Sequence, residues 1–511
     1  MRRTLVIAGV ILSLHSPGAL AAQRPARPQE LSRTLDAVVR QGVRDWDIPG
    51  LSVAVVRNDS VLFLRGYGTR ALRDTSLVDA HTLFGIMSTT KAMTAAALAI
   101  LVDDGVVHWE DPVTQWVPEF QMPEPYVTRA LTVLDLLTHR AGLGNADLLW
   151  LRGDLPATEI FRRVRDLEPA YSLRASFAYQ NVMYGLAGEV IARASGMSYG
   201  EFLRHRLFVP LGMTRTYARW ADVTAAGVGN VSRPHYAIRD TITVIPEDTV
   251  DVIPAAGAVW STASDMARWM RFLLDSGRVA GRQLVSQAGV RTLLRPHTTI
   301  PPGEFYPTAR LTRPHWMTYG LGWFQQDYRG RFVAFHTGSL DGRTAIVGLL
   351  PDERFGVVVF GNLDHAEFRH AVMLTAFDLQ IGGPRRDWNA ELLDLYGGIR
   401  VRRDSLRAAR DAARVAGTSP RLPLRAYAGT YHHAVWGDLV VTPRAEALAV
   451  RLGTNSELAG PLRHWHYDTF RIQWGDGRAE PGWLRFAVGL DGTVTEARLG
   501  TDPGTIFRRV P

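Results

Sequence analysis

The sequence predicts an α/β protein in two parts: a sheet flanked by helices with a helical region inserted into it, and behind it a small closed β-barrel. Three observations carry this. Strand-like runs lie at both ends of residues 31–382 and helical patterns lie between them, so one sheet is built from both ends. A charged, arginine-rich helical stretch follows Gly382-Gly383-Pro384. From Tyr427 onward short alternating segments recur at even spacing, the pattern of a small barrel.

Leu31, Leu35, Val38, Val39, Val43 and Trp46 recur at helical spacing and predict a first helix, which Ile48-Pro49-Gly50 ends. Residues 51–56 and 61–65 read as a hairpin around Asn58-Asp59. Ala92, Met93, Ala95, Ala96, Leu98, Ala99, Leu101 and Val102 make an apolar helix. Thr132 with Asp135 three residues on is a capping signature for a helix through Leu136 and Leu137. Residues 105–325 are expected to be mostly helix and loop. Strands return at 331–335, 345–350 and 355–361, and a closing helix at 365–380 covers the sheet with the first helix. Residues 387–415 read as a solvated spacer helix. Barrel strands are expected at 430–432, 438–442, 447–452, 470–473, 484–488, 494–499 and 506–510.

The chain has 511 residues, a hydrophobic fraction of 46% and a formal net charge of +8. Its arginines are scattered, with no basic arm, so no nucleic-acid partner is expected. Met1-Arg2-Arg3, the apolar stretch Thr4 to Leu14 and the small residues Ala19 to Ala22 have the form of a secretory signal peptide. An exported protein, periplasmic or secreted in a bacterium, is therefore expected. There is no cysteine to form a disulfide, and no later stretch is apolar and long enough to span a bilayer. The expected domains are 1–22 signal peptide, 23–30 disordered leader, 31–382 sheet domain, 383–425 helical spacer and 426–511 barrel.

Chemistry concentrates at Ser88-Thr89-Thr90-Lys91. Lys91 is the only lysine, and the other basic residues are all arginine. Arginine cannot give up its proton, whereas a buried lysine can be pushed toward neutrality. On a helix, residues three apart share a face, so the Ser88 hydroxyl and the Lys91 amine can meet as nucleophile and base. Acyl transfer also needs a proton shuttle and donors for an oxyanion. Tyr179-Gln180-Asn181 supplies a phenol and an amide just before a helix, and His336-Thr337-Gly338 lies beside a strand where glycine lets a substrate backbone approach. Gly196-Met197-Ser198-Tyr199-Gly200 has the letters of a hydrolase elbow, but a helical segment precedes it, and Ser198 with Glu201 reads better as a capping box. His432-His433 and His464-x-His466 lack a carboxylate or cysteine cluster, so no metal and no cofactor are expected.

Together, Ser88-x-x-Lys91, Tyr179-x-Asn181 and His336-Thr337-Gly338 resemble the three motifs of the serine β-lactamase and penicillin-binding protein family. The branch is that of class C β-lactamases, secreted DD-peptidases and related esterases and D-amino-acid peptidases (D-aminopeptidases). Leu136 to Leu143, Phe208 to Met213 and Trp260 to Met266 are similar to the same branch, and the tail from Pro423 resembles a lipocalin-like domain. The resemblance implies an antiparallel sheet of the transpeptidase type. It also implies that Ser88 is acylated, with Lys91 as its base and Tyr179 as proton relay. Asn181 and His336 would orient the substrate, and the Ser88 and Ser339 amides would form the oxyanion hole. Histidine at 336, where β-lactamases carry lysine, favours a peptidase or esterase over β-lactam hydrolysis. The partner is a small-molecule or peptide substrate carrying an amide or ester. Two alternatives are a penicillin-recognising sensor that acylates without turnover and a barrel that carries lipid.

Overall fold

The structure, a computed structural model, describes residues 25–151, 155–382, 384–501 and 504–511. The expected signal peptide lies outside the described residues. Helix α1 (Pro28–Asp45) precedes the hairpin β1 (Gly50–Arg57) and β2 (Ser60–Gly68). The interior helices that matter to the site are α2 (Thr90–Asp103), α3 (Asn181–Ser195) and α4 (Ala263–Leu274). Strands β3 (Thr298–Thr299), β4 (Met317–Tyr319), β5 (Phe324–Tyr328), β6 (Arg331–Leu340), β7 (Arg343–Leu350) and β8 (Phe355–Gly361) complete the sheet before α5 (Phe368–Ile381). The order is β2-β1-β8-β7-β6-β5-β4-β3 and every pairing is antiparallel.

Both faces of this sheet are covered, so its central strands are apolar on both sides. Along β1, Val53 and Val55 join the core beneath α1 and α5, while Ala54 and Val56 join the core beneath α2 and α4. The two-residue period of a strand produces this division. Helix α2 is buried residue after residue from Thr90 to Leu101 and forms the centre of the second core. It therefore shows no polar stripe.

Four expectations are corrected. The first helix starts at Pro28, a favoured first-turn residue, and Ala26 already hydrogen-bonds Leu379, so residues 25–30 are not a disordered leader. Strand β4 lies inside the region 105–325 expected to be mostly helix and loop, and β5 begins at its end; Gln325 and Gln326 are buried there, which hid the apolar pattern. Strand β6 does not stop at Phe335 but runs to Leu340, so the His336-Thr337-Gly338 motif is inside a strand. The barrel has eight strands rather than seven: Ala459–His466 was missed because Gly460 and Pro461 break its pattern. A side chain at Gly460 would stand 1.9 Å from the Gln473 carbonyl oxygen.

Helix α6 (Trp388–Ala412) leads to the barrel. The barrel is closed, and Tyr427, Tyr431, Phe470, Phe486 and Phe507 fill its interior. Eight strands enclose a space that side chains alone can fill, and this filling argues against a lipid-carrying lumen. The barrel meets the sheet domain through Arg478, whose side chain is 3% exposed. Its guanidinium lies 2.5 Å from Asp248 and 3.3 Å from Asp341 of the sheet domain, and 2.9 Å from Asp476 of the barrel. Among the described residues, no helix is long and apolar enough to cross a membrane.

Candidate active site

Ser88 lies in a 3₁₀ turn, Met87–Thr89, that opens α2. Met87 has φ 44°, the left-handed region that costs a non-glycine residue about 1–2 kcal/mol. Strand β6 holds the turn there. A side chain on Gly338 would stand 2.4 Å from the Ile86 carbonyl oxygen and 3.0 Å from Met87 Cβ. The turn floors a cavity of about 560 Å³ lined by Ser88, Tyr179, Asn181, Thr337 and Ser339 among others.

Lys91 is completely buried behind Ser88. Its Nζ lies 3.0 Å from Ser88 Oγ, 2.7 Å from Asn181 Oδ1 and 2.7 Å from the Ala256 carbonyl oxygen. Burial pushes its pKa down to about 7, against a smaller upward pull from Asp147. The two oxygens of Asn181 and Ala256 can only accept. When the amine is neutral they take its two N–H bonds, and the lone pair is left facing the Ser88 hydroxyl.

Tyr179 covers this pair. Lys91 Nζ is 4.9 Å from its ring centre and 5.1 Å from that of Tyr184. Burial raises the Tyr179 hydroxyl well above the ordinary value, opposed by the Ser88 hydroxyl. His139, from the loop after the Val133–Leu136 helix, stacks on Tyr179 with ring centres 4.3 Å apart and accepts the Gln180 N–H at 3.0 Å. The Thr132–Asp135 capping box sets where that loop begins.

Side chains alternate along β6. Thr337 and Ser339 face the cavity, while His336, 1% exposed, points behind its wall. His336 Nδ1 faces the Thr337 carbonyl oxygen at 2.6 Å, and so donates; Nε2, 2.9 Å from the Tyr319 hydroxyl, accepts. Burial pushes its pKa down to about 3. The structure thus brings Ser88, Lys91, Tyr179, Asn181, Thr337 and Ser339 together, and sets His336 in the layer that supports Tyr179. Gly338 serves through its missing side chain.

Several neighbours escaped sequence reasoning. Asp147 accepts the Asn181 Nδ2–H at 3.0 Å. Tyr306 shares a 2.6 Å hydrogen bond with Thr337 Oγ1. Arg369, buried in α5, donates to the Gly338 carbonyl oxygen at 2.6 Å and to Ser339 Oγ at 2.9 Å. The signal for Arg369 was an ionic run, Glu367 to His370, opening an apolar helix; Asp147, in an irregular loop, gave none. The rival Ser198 caps its helix, donating to Glu201 at 2.7 Å. His432 pairs with Asp438, and His464 with the Tyr467 carbonyl, as local structural bonds.

A family model described as Beta-lactamase matches residues 35–379, and one described as a domain of unknown function, DUF3471, matches residues 413–510. The chain is 30% identical over 437 residues to Unguisins hydrolase ungD' of Aspergillus campestris (strain IBT 28561), covering 80% of this chain and 78% of that protein. Its fold is similar to the octameric penicillin-binding protein homologue from Pyrococcus abyssi, with TM-score 0.60 and 20% identity over 93% of this chain and 99% of that one. It is similar also to SurE, with TM-score 0.57 and 20% identity over 95% and 100%.

Proposed function

The chain belongs to the β-lactamase family, and from that premise we propose that it is an exported serine hydrolase that cleaves an amide or ester through an acyl-enzyme on Ser88. The observation that carries this is the Lys91 amine, with two acceptors on one side and Ser88 Oγ 3.0 Å away on the other. In the reaction, Ser88 Oγ bonds to the substrate carbonyl carbon and its proton passes to Lys91 Nζ. The Ser88 and Ser339 amides take the oxyanion. The proton returns through the Tyr179 hydroxyl to the leaving group as the scissile bond breaks. Water then attacks the acyl ester by the reverse path and frees the acid and Ser88. The relative named a hydrolase supports turnover rather than a sensor.

Among the described residues no arginine or lysine lines the cavity, whereas Asp147, Glu304, Asp341 and Asp364 do. With His336 buried and neutral, the described lining offers a substrate carboxylate only His365, which is itself engaged by Glu367 and Asp364, and this favours neutral or amine-bearing amides and esters over β-lactams. Export to the periplasm or beyond rests on the basic-then-apolar start of the chain. The test is a hydrolysis screen over p-nitrophenyl esters, D-amino-acid amides, D-Ala-D-Ala peptides and a chromogenic cephalosporin. Turnover of an ester or amide, lost in Ser88→Ala, is expected. A single stoichiometric burst with no turnover would replace the enzyme with the sensor.

A further inference from the structure

We propose that Asp147 is a positioning residue of this centre: its carboxylate fixes the Asn181 amide so that the amide oxygen, and not the NH₂ group, faces Lys91. The inference rests on the Ser88–Lys91 reading above. Asp147 opens the short turn Asp147–Leu149, and its backbone N–H donates to Asn145 Oδ1 at 2.9 Å. Its side chain accepts from Asn145 Nδ2 at 3.0 Å, from Trp150 Nε1 at 2.9 Å and from Asn181 Nδ2 at 3.0 Å. An ionised carboxylate only accepts, so it admits one orientation of the Asn181 amide. That orientation places Oδ1 at 2.7 Å from Lys91 Nζ. With the amide reversed, its NH₂ would face an amine that must itself donate there, and the lone pair would no longer be directed at Ser88. Leu148 and Leu149 of the same turn line a second cavity of about 370 Å³ together with Trp436, Leu452 and Leu458 of the barrel.

Two consequences separate orientation from charge. Asp147→Ala removes the acceptor and the charge; Asp147→Asn removes the charge alone and keeps an oxygen for Asn181. The groups facing Lys91 are Asp147, the Tyr179 and Tyr184 hydroxyl-bearing rings, and the neutral His139 and His336. Of these Asp147 is the carboxylate that pulls the Lys91 pKa upward, so losing its charge lowers that pKa in either variant. Because Lys91 is the only lysine, protein grown on ¹³Cε-lysine gives a single side-chain signal whose titration reads it directly.

The experiment compares wild type, Asp147→Ala and Asp147→Asn in the full chain, by that titration, by kcat/KM on p-nitrophenyl acetate and by melting. The lysine midpoint is expected to fall in both variants. The rate of Asp147→Ala is expected to fall about 10–100-fold, the loss of one buried hydrogen-bonded anchor, with kcat taking the loss and Asp147→Asn recovering most of it. An unmoved lysine midpoint, or equal loss in both variants with a lowered melting point, would overturn the proposal. Failure of the Ser88 reading looks different: hydrolysis would survive Ser88→Ala with Asp147 intact.

Discussion

Gly338 leans directly on Ser88: a Cβ there would lie 3.1 Å from the Ser88 amide nitrogen, besides its clash with the Ile86 carbonyl oxygen. The strand and the Ser88 turn are therefore one unit, and the oxyanion site proposed above depends on how they meet. Gly338→Ala is expected to push the turn off β6 and take one amide out of line. Removing one such donor costs about 10²–10³ in kcat. Steady-state kinetics on a small ester checks this, and a rate within a few-fold of wild type would show that the turn and strand act separately.

Lys91→Arg keeps a cation of similar length but not a base. Guanidinium stays protonated, so the Ser88 proton has nowhere to go. A loss of about 10²–10⁴ in kcat/KM is expected. Fluorophosphonate labelling of Ser88, followed by peptide mapping, should slow alongside it. Undiminished labelling at Ser88 would return Lys91 to a structural role.

How far the sequence reached is clear from these two motifs. Ser88 and Lys91 were legible because spacing on a helix is local and because the only lysine in the chain needed a reason. The sheet assembled from both ends was legible because β1, β7 and β8 are apolar runs bounded by turns. Asp147 was not, since its role depends on a contact with Asn181 across 34 positions and on no local period. His336 was legible as a motif letter but not as a neutral residue behind the cavity wall, because the face it takes depends on where β6 ends.

The pH profile follows from the same burial. Lys91 must be neutral to act, and its pKa is pushed down to about 7. Activity is therefore expected to rise through that pH and stay level above it, since Tyr179 remains protonated well past the ordinary phenol range. Buried His139 and His336 are already neutral and add no step. Asp364, raised to about 6 by burial, also lines the cavity. Asp364→Asn separates the two: a limb near 7 that survives it belongs to Lys91, and one that vanishes does not.

Arg478 ties the barrel to the rim of the site. Its partner Asp341 lies two residues beyond Ser339 and lines the cavity. The guanidinium is nearly inaccessible and faces Asp248, Asp341 and Asp476. Removing one partner of a buried ionic group costs about 3–5 kcal/mol, because the carboxylates it faced lose that counter-charge. Arg478→Ala is expected to lower the melting midpoint and to free the Asp341 turn. The proposed chemistry runs between Ser88 Oγ and Lys91 Nζ, 3.0 Å apart, and does not pass through Arg478. A small ester should therefore keep its kcat, while KM for a longer peptide or amide that reaches the rim should rise. Equal losses on both substrates would mean that the barrel holds the catalytic turn itself, and no change on either would mean that Arg478 joins the domains without shaping the site.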